Sequence, residues 1–322
     1  MIISRTPVRV SLFGGGTDFY NYYSAHTGRI LSITINKYIY VILNPRFDDK
    51  IVINSNEKEI IDSVSEIQHE LVREALIKTD IKNGIEITII ADIPSEGSGL
   101  GSSSSLSVGL LNAMYAYKGI DADSETLARE ACELEIQKCH KPIGKQDQYI
   151  AAYGGFCDIT FNKDESVVVN KIKPEKEQLS KLISKMLLFY TGLTRKSEQI
   201  LSEQKSKIPD RLKQLHQLKA FIGPAIESTE QEDSDEIGLL LKQAWELKKQ
   251  LSSNVSNEFL DKMYSKAINA GAIGGKILGA GGGGFLLTFV KNEDKGSLRQ
   301  AMSDFKEMKF EFETEGSKII LR

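Results

Sequence analysis

A run of glycines and serines, PSEGSGLGSSSS, lies between a strand-like stretch and an apolar stretch with helical spacing. Gly97, Gly99 and Gly101 allow the main chain to adopt positive φ and to approach a ligand closely. A helix that begins directly after them points backbone N–H groups and the positive end of its dipole at one spot. The serine hydroxyls add donors, and one of them can bind a metal ion. These residues predict a phosphate-binding loop rather than a flexible linker.

Two common phosphate-binding motifs do not fit this stretch. The Walker A loop needs G-x-x-x-x-G-K-[ST], and residues 94–105 contain no lysine. The dinucleotide fingerprint would have to open the first strand–turn–helix unit and carry an acid about 20 residues later. The loop therefore belongs to a different class of phosphate site.

Two acidic residues are candidates for the chemistry that such a loop serves. Phosphoryl transfer needs positioning, a metal ion to neutralise the phosphates and a base for the acceptor hydroxyl. Glu135 lies late in a predicted helix, and Asp147 follows twelve positions later, in a predicted loop opened by Pro142 and Gly144. Taken alone, Glu135 could equally be a surface acid of its helix, and Asp147 a plain loop residue.

The stretch P-x-x-x-x-G-L-G-S-S-S, from Pro94 to Ser104, resembles the phosphate-binding motif of the GHMP kinases, the family of galactokinase, homoserine, mevalonate and phosphomevalonate kinases. Two further motifs of that family occur in order, TPVRVSLFGGGTDFY near the start and GGKILGAGGGGFLLTF near the end. The resemblance covers nearly the whole chain and implies that ATP and Mg²⁺ are bound. The implied ATP-binding residues are Pro94, Gly97, Ser98, Gly99, Leu100, Gly101, Ser102, Ser103 and Ser104.

The resemblance also implies roles for individual residues. Asp147 matches the catalytic aspartate, and Arg9 matches the arginine near the transferred phosphate. Glu135 matches a Mg²⁺ ligand, and Ser103 is the serine we favour as the second ligand, with its two neighbouring serines as alternatives. We expect the glycines of the third motif to let that loop pack against the phosphate site of the other domain. The implied substrate-binding residues are Gly15, Gly16, Thr17, Asp18, Gly281 and Gly282.

Three stretches, SRTPVRVSLFGGGTDF, GKQDQYIAAYGG and FYTGLTRKS, resemble the kinases of D-glycero-D-manno-heptose 7-phosphate within this family. The resemblance implies transfer of a phosphate from ATP to the anomeric hydroxyl, giving the 1,7-bisphosphate on the way to nucleotide-activated heptose and surface glycans. Thr194, Arg195 and Lys196 open a predicted helix, so we expect Arg195 to bind the distal phosphate of the sugar. An ordinary helix start with surface cations is the alternative.

Two other functions stay open at the level of sequence. A kinase for fucose or galactose would use the same fold, although GGGTD replaces the G-E-H-T-D of galactokinases. A catalytically silent sensor of sugar and ATP is the alternative from another class. Such members tend to lose the phosphate loop or the catalytic positions, and both are intact here, which favours an active kinase.

The bulk properties fit an enzyme of small molecules. The 322 residues are 41% hydrophobic with a net charge of −3, which predicts a sizeable core and about two domains. Lysines and arginines are interleaved with acids, so no nucleic-acid partner is expected. No apolar run reaches the ~18 residues of a membrane span, and no signal peptide is recognised. Three cysteines without a C-x-x-C predict reduced thiols in a cytoplasmic protein, which we expect to be a monomer or homodimer.

The elements that must position these residues indicate an α+β fold. In the first half, strands are predicted over IISRTPVRVSLF, KYIYVILNP, KIVINS and GIEITIIADIP. Helices are predicted over EKEIIDSVSEIQHELVREALIKT, from the serine run onward, and over DSETLAREACELEIQKC with Asp123 or Ser124 as its cap. GGFCDITF and ESVVVNKIK predict a hairpin.

The second half changes in character. KMLLFYTG and FLLTFV predict strands, residues 197–267 predict long amphipathic helices, and alternation near residues 309–312 and in GSKIIL predicts closing strands. The family resemblance implies two domains with the substrates in the cleft between them. We expect a ribosomal-S5-like N-terminal domain over residues 1–178 and a ferredoxin-like C-terminal domain over residues 179–322.

Overall fold

The computed structural model describes residues 1–94, 97–194, 197–231 and 234–322. Its strands are β1 (Ile2–Phe13), β2 (Gly28–Pro45), β3 (Ile51–Asn54), β4 (Lys58–Ile61), β5 (Ile85–Ala91), β6 (Phe156–Phe161), β7 (Val167–Ile172), β8 (Met186–Tyr190), β9 (Ala272–Ile277), β10 (Phe285–Val290), β11 (Glu307–Met308) and β12 (Lys318–Leu321). Its helices are α1 (Tyr20–His26), α2 (Glu70–Lys78), α3 (Ser102–Tyr117), α4 (Ser124–Cys132), α5 (Gln146–Tyr153), α6 (Lys176–Ser184), α7 (Ser197–Lys207), α8 (Leu212–Ala220), α9 (Ile222–Glu230), α10 (Ser234–Lys249), α11 (Glu258–Asn269) and α12 (Lys295–Ala301). A π-helix, Glu133–Lys138, continues α4, and 3₁₀ turns lie at Val64–Glu66, Ile208–Arg211 and Asn292–Asp294.

The first lobe is built on a sheet whose described strands follow the order β12-β1-β2-β5-β3-β4, with β6 and β7 joined to it through β2. At 18 residues, β2 is long enough to pair with β6 near its start and with β5 near its end. Pro7 has no main-chain N–H to donate, and the pairing of β1 with β2 shifts register directly after it. Because of this register shift, β1 pairs with β2 both before and after the proline.

Helices α2 to α5 cover one face of this sheet. The core between them includes Val41 and Ile87 from the sheet and Val108 and Leu111 from α3, all fully buried. Burial of each such side chain contributes about 1.5–3 kcal/mol. This layer therefore fixes the position of α3 and of the glycine–serine loop that precedes it.

The second lobe is built on a four-stranded antiparallel sheet in the order β11-β8-β10-β9. Along the chain, β8 is followed by helices, then by the hairpin of β9 and β10, by α12 and by β11. This is the β-α-β-β-α-β arrangement of a ferredoxin-like fold. The predicted α+β class and the ferredoxin-like second domain are confirmed.

A hydrophobic core continues from one lobe into the other. Leu31 and Ile33 of β2 belong to the same buried cluster as Leu218 of α8, Ile222 of α9 and Leu241 of α10. The face of the first sheet that α2 to α5 leave open is thus covered by helices of the second lobe. Because the interior is close-packed, the walls of the cleft between the lobes are held against each other.

The chain returns to the first lobe after completing the second sheet. β12 pairs antiparallel with β1, and the main-chain N–H of Glu313 donates to the carbonyl oxygen of Thr34 at 3.1 Å. The boundary near residue 178 stays a prediction, to which the structure adds this returning strand.

One predicted helix is shorter than expected. The spacing of apolar residues predicts a helix over residues 57–79, but α2 begins only at Glu70. Lys58–Ile61 pairs instead with β3 as an edge strand. Apolar periodicity in a short stretch cannot distinguish these outcomes, because the pairing partner is elsewhere in the sequence.

Two further local predictions need correction. Residues 309–312 were expected as a strand, yet β11 comprises only Glu307–Met308, and Phe312 makes a single isolated bridge to Ile35. Asp147 was expected in a loop and lies in the first turn of α5. Among the described residues, no helix is long and apolar enough to cross a lipid bilayer.

Candidate active site

A cleft of about 960 Å³ opens between the two lobes. From the first lobe, residues 97–99 and 101–104 of the phosphate loop and residues 14–16 and 18 of the first glycine loop line this cleft. The second lobe contributes α7, α10 and the C-terminal glycine loop, residues 278–284. All three sequence motifs therefore reach one cavity.

The phosphate loop delivers a helix N-terminus to this cleft. Gly101 precedes α3 with φ +77°, a conformation that glycine adopts without strain, and no side chain caps the helix. The first turn of any helix leaves main-chain N–H groups without intrahelical partners. The first turn of α3 and the hydroxyls of Ser102, Ser103 and Ser104 line the cleft, as an anion site requires.

The two glycine loops touch through their main chains. A Cβ placed on Gly99, which has φ +73°, would lie 2.7 Å from the carbonyl oxygen of Leu278, and one on Gly279 would lie 2.6 Å from the Cα of Gly99. Gly284 is equally close to the main chain of residues 97–98. The prediction that the third motif packs against the phosphate site is confirmed, and only glycine fits at these crossings.

Arg9 and Asp147 form a bidentate ion pair at the base of the phosphate loop. The Nε and Nη2 atoms of Arg9 donate to the two carboxylate oxygens of Asp147 at 2.8 and 2.7 Å. Its Nη1 donates to the carbonyl oxygen of Gly99 at 2.5 Å. Arg9 is only 3% exposed, so this arginine fixes the Asp147 carboxylate relative to the phosphate loop.

Glu135 is fully buried, which excludes the surface-acid interpretation of its sequence position. Its carboxylate accepts from the Ser103 hydroxyl at 2.7 Å and from the Gln148 amide at 2.6 Å. Burial raises its pKa, and the nearby Asp147 charge acts in the same direction, whereas the hydrogen bonds from Ser104, Ser103 and Gln148 lower it. A positive charge beside this carboxylate would favour its ionised form.

The donor set at Glu135 fits a magnesium ion. Mg²⁺ takes hard oxygen ligands and is held by one or two carboxylates together with phosphate oxygens and water. Ser103 and Glu135 supply a hydroxyl and a carboxylate oxygen beside the phosphate loop. The Oε1 atom of Gln148 is buried there without a hydrogen-bond partner among the described residues. That part of the chain contains no cluster of three or more His, Cys, Asp or Glu that would hold a metal alone.

Asp18 is a second buried carboxylate in the cleft, 2% exposed. It accepts from the main-chain N–H of Gly16 at 3.0 Å and, more weakly, of Gln146 at 3.3 Å. Burial, and secondly the Asp147 charge, raises its pKa to about 6. A Cβ on Gly144 would lie 2.0 Å from the Asp18 carboxylate. This close approach explains why the first residue of GKQDQ is a glycine.

The pKa of Asp18 predicts a pH-dependent difference in stability between the wild-type protein and Asp18→Asn. A pKa raised from 3.8 to about 6 means that the folded state favours the protonated carboxyl, so the charged form costs stability above pH 6 and not below pH 4. We expect the wild-type protein to lose about 2–3 kcal/mol relative to the variant between pH 4 and pH 8, measured by urea unfolding. A difference that is independent of pH would contradict this.

Four predicted site residues do not line the cleft. Pro94 is exposed at the start of the loop, and Leu100 is buried, with its carbonyl oxygen accepting from the main-chain N–H of Arg9. Thr17 is buried, and its hydroxyl donates to the carbonyl oxygens of the first glycine turn and of β2. Gly282 donates its N–H to the carbonyl oxygen of Val255. These residues shape the loops that carry the others.

Arg195 lies outside the described residues, so its expected contact with a distal phosphate stays a prediction. The structure brings the remaining predicted residues together at the cleft: Arg9, Gly15, Gly16, Asp18, Gly97, Ser98, Gly99, Gly101, Ser102, Ser103, Ser104, Glu135, Asp147 and Gly281.

Sequence reasoning missed three residues of this site. Gln148 was overlooked although it is the second glutamine of GKQDQ, and Lys276 although it opens the K-x-x-G-A-G-G-G-G motif. Lys248 lies on the amphipathic helix α10, where a lysine gives no local signal of function. Each of the three could be recognised only from its neighbours in space.

A helix N-terminus without a side-chain cap, the Arg9–Asp147 pair and the Ser103–Glu135 pair are groups that can serve in phosphoryl transfer to an alcohol acceptor. The profile of the GHMP kinases N-terminal domain matches residues 63–155, and that of the GHMP kinases C-terminal domain matches residues 225–307. The chain belongs to the GHMP kinases.

Several relatives point to sugars as acceptors. The D-glycero-alpha-D-manno-heptose 7-phosphate kinase of Campylobacter jejuni is 32% identical, over 94% of this chain and 93% of that protein. The bifunctional fucokinase/GDP-fucose pyrophosphorylase of Arabidopsis thaliana is 28% identical, over 94% of this chain and 31% of that protein. The crystal structure of a D-glycero-D-manno-heptose 1-phosphate kinase from Bacteroides thetaiotaomicron superposes with a TM-score of 0.84 at 26% identity, covering 100% of this chain and 99% of that one. The chain is a GHMP-type sugar kinase.

Proposed function

We propose that this enzyme transfers the terminal phosphoryl group of ATP to the anomeric hydroxyl of D-glycero-D-manno-heptose 7-phosphate, giving the 1,7-bisphosphate. The observation that carries the proposal is the Arg9–Asp147 pair beside the phosphate loop, in a chain similar over nearly its whole length to a heptose 7-phosphate kinase. The product would serve nucleotide-activated heptose and surface glycans. We further propose a cytoplasmic enzyme that is a monomer or homodimer.

In this proposal Asp147 is the general base. Its carboxylate lines the cleft next to Gly101 and is held in its orientation by Nε and Nη2 of Arg9. In the proposed reaction it accepts the proton of the anomeric hydroxyl while that oxygen forms a bond to the terminal phosphorus. The bond from phosphorus to the bridging oxygen breaks, and ADP leaves. The Arg9 charge stabilises the negative charge on the phosphoryl oxygens.

The nucleotide is proposed to lie along the first lobe. Its phosphates would accept from the N–H groups at the start of α3, and Mg²⁺ held by Ser103 and Glu135 would neutralise them. The apolar side chains of Ile39, Ile89 and Ile93 also line the cleft. These walls suit the faces of a purine base.

The acceptor is proposed to lie between the first glycine loop and the C-terminal glycine loop. Gly15, Gly16, Asp18 and Gly281 all line the cleft. A buried carboxylate that already accepts two N–H groups keeps acceptor capacity for a sugar hydroxyl. Asp18 would thereby orient the sugar so that one hydroxyl faces Asp147.

The most specific part of the proposal is the position of the phosphate group on the sugar substrate. The Campylobacter jejuni protein is named for heptose 7-phosphate and the Bacteroides thetaiotaomicron protein for heptose 1-phosphate. The greater identity of the first, 32% against 26%, favours the 7-phosphate as substrate. A fucokinase is the second candidate, because two bifunctional fucokinases are each 28% identical to this chain.

The test is ATP turnover with Mg²⁺, coupled to ADP release, across a panel of acceptors. The panel contains D-glycero-D-manno-heptose 7-phosphate, the free heptose, fucose, galactose and mannose. Turnover confined to the heptose 7-phosphate, with the product identified by ³¹P NMR as the 1,7-bisphosphate, is the expected result. Turnover on fucose alone would replace the substrate and keep the kinase. ATP binding without turnover on any acceptor would favour a catalytically silent sensor.

A further inference from the structure

Two lysines of the second lobe extend into the cleft towards the catalytic pair. The ammonium of Lys276, on β9, donates to the carbonyl oxygen of Leu12 at 2.9 Å, directly before the first glycine loop. The ammonium of Lys248, at the end of α10, donates to the carbonyl oxygens of Ile277 at 2.8 Å and Gly279 at 2.6 Å. Both lysines line the cleft. Lys276 is therefore held close to the first glycine loop, and Lys248 is held at the C-terminal glycine loop, which contacts Gly99.

Neither lysine forms an ion pair with a carboxylate in the described part of the chain. The other cations of the cleft do: Arg9 pairs with Asp147, and Lys141 pairs with Glu70 and Glu198. An ammonium group has three N–H donors. In the hydrogen bonds described, Lys276 uses one of them and Lys248 uses two, all to neutral carbonyl oxygens. Both groups thus keep donor capacity for an anion.

The unpaired charges are unfavourable in the protein without ligands. Lys276 is 6% exposed, and burial, with the Arg9 charge second, lowers its pKa to about 7. Burial, followed by the charges of Lys276 and Arg9, lowers the pKa of Lys248 well below its ordinary value. Without an anion, these shifts disfavour the charged form of both lysines, whereas a bound dianion would favour it.

We propose that Lys248 and Lys276 form a subsite for a terminal, doubly charged phosphate group on the second lobe's side of the cleft. The inference rests on the proposed function, which brings two phosphorylated compounds into this cavity. The group can come from the sugar phosphate, because Lys276 is held at Leu12 beside the first glycine loop, or from the end of the nucleotide, because Lys248 is held at Gly279 beside the phosphate loop. The chemistry is the same: two ammonium groups donate to phosphate oxygens.

The variants are Lys248→Met and Lys276→Met, which keep the length of the apolar stem and remove the charge. Lys276→Arg keeps a charge at that site. Lys219→Met is the matched control, because the Lys219 ammonium also donates to two carbonyl oxygens, those of His26 and Thr27, but does not line the cleft. Thermal unfolding of all four variants identifies any that fail to fold, and the measurements below use those that do.

Calorimetric titration separates the two sources of the phosphate. One arm titrates heptose 7-phosphate and the free heptose into the protein saturated with Mg²⁺ and AMP-PNP. The other arm compares AMP-PNP with ADP in the protein without sugar. We expect the lysine-to-methionine variants to lose about 10- to 100-fold in affinity for the phosphorylated compound of one arm. The affinity for the compound without that phosphate, the free heptose or ADP, should be unchanged. Lys219→Met should keep wild-type affinities in both arms, and Lys276→Arg should recover part of the lost affinity.

Each outcome decides the proposal. A loss confined to the heptose 7-phosphate assigns the subsite to the acceptor, and a loss confined to AMP-PNP assigns it to the nucleotide. Equal affinities of wild type and both methionine variants in both arms would overturn the subsite. If the wild-type protein binds no heptose phosphate, the proposed substrate fails, while the AMP-PNP arm still tests the lysines.

Discussion

Replacement of Asp147 by asparagine is expected to lower kcat by about 10²- to 10⁴-fold, the range of a lost general base. Asparagine keeps one oxygen to accept from Arg9 but cannot take the proton of the acceptor hydroxyl. The affinity for ATP should change little, because the phosphate loop and Glu135 keep their geometry. Steady-state turnover and calorimetric titration of AMP-PNP measure the two quantities.

The chain offers a matched control for this substitution. Arg29 of β2 and Asp158 of β6 form a bidentate pair of the same kind, with both contacts at 2.7 Å, outside the cleft lining. Asp158→Asn should reduce stability in the same way and leave kcat within about twofold of wild type, since surface or structural ion pairs act on folding rather than on chemistry. Equal losses of kcat in both variants would show that Asp147 acts only through folding.

Gly99→Ala is expected to damage both stability and turnover. The added Cβ would lie 2.7 Å from the carbonyl oxygen of Leu278, in a residue with φ +73°. The strain and the forced separation of the two glycine loops should cost about 3 kcal/mol of stability. A displacement of the phosphate loop by about 1 Å should also lower kcat/KM for ATP by about 100-fold.

Gly119→Ala isolates the contribution of the backbone conformation. Gly119 has φ +76°, close to that of Gly99, but an added Cβ would meet no atom within 4 Å. This variant should lose about 1 kcal/mol and retain full activity, both followed by chemical denaturation and turnover. If Gly99→Ala behaved like Gly119→Ala, the close approach of the two loops would not be needed for stability or turnover.

The features that are local in sequence could be predicted well. β1 extends over the predicted IISRTPVRVSLF, the hairpin of β6 and β7 forms as expected, and Asp123 caps α4 by accepting from the N–H of Thr126. Alternation, turn residues and capping act over a few residues, so the sequence displays them directly. The phosphate loop was likewise predictable, because its glycines and serines are contiguous.

Features that depend on distant partners could not be predicted. The buried Glu135 carboxylate accepts hydrogen bonds from Ser103 and Gln148, which lie on other helices, so its own segment does not reveal its burial. The role of Lys248 depends on carbonyl oxygens almost thirty residues away, at Ile277. The edge strand β4 forms only because β3 offers it hydrogen bonds. In each case a non-local contact outweighs the local preference of the segment.

The strand β12 has a consequence for how the polypeptide is made. Ile3 of β1 pairs with Leu321, so one edge of β1 has no partner during translation until the residues near 321 have been synthesised. Until then the nascent chain presents an open sheet edge, together with the apolar face that α8 to α10 later cover. The first lobe therefore cannot complete its sheet during translation before the second lobe has been made. A chain divided near residue 178 would leave its first half with that edge and face exposed to other nascent chains.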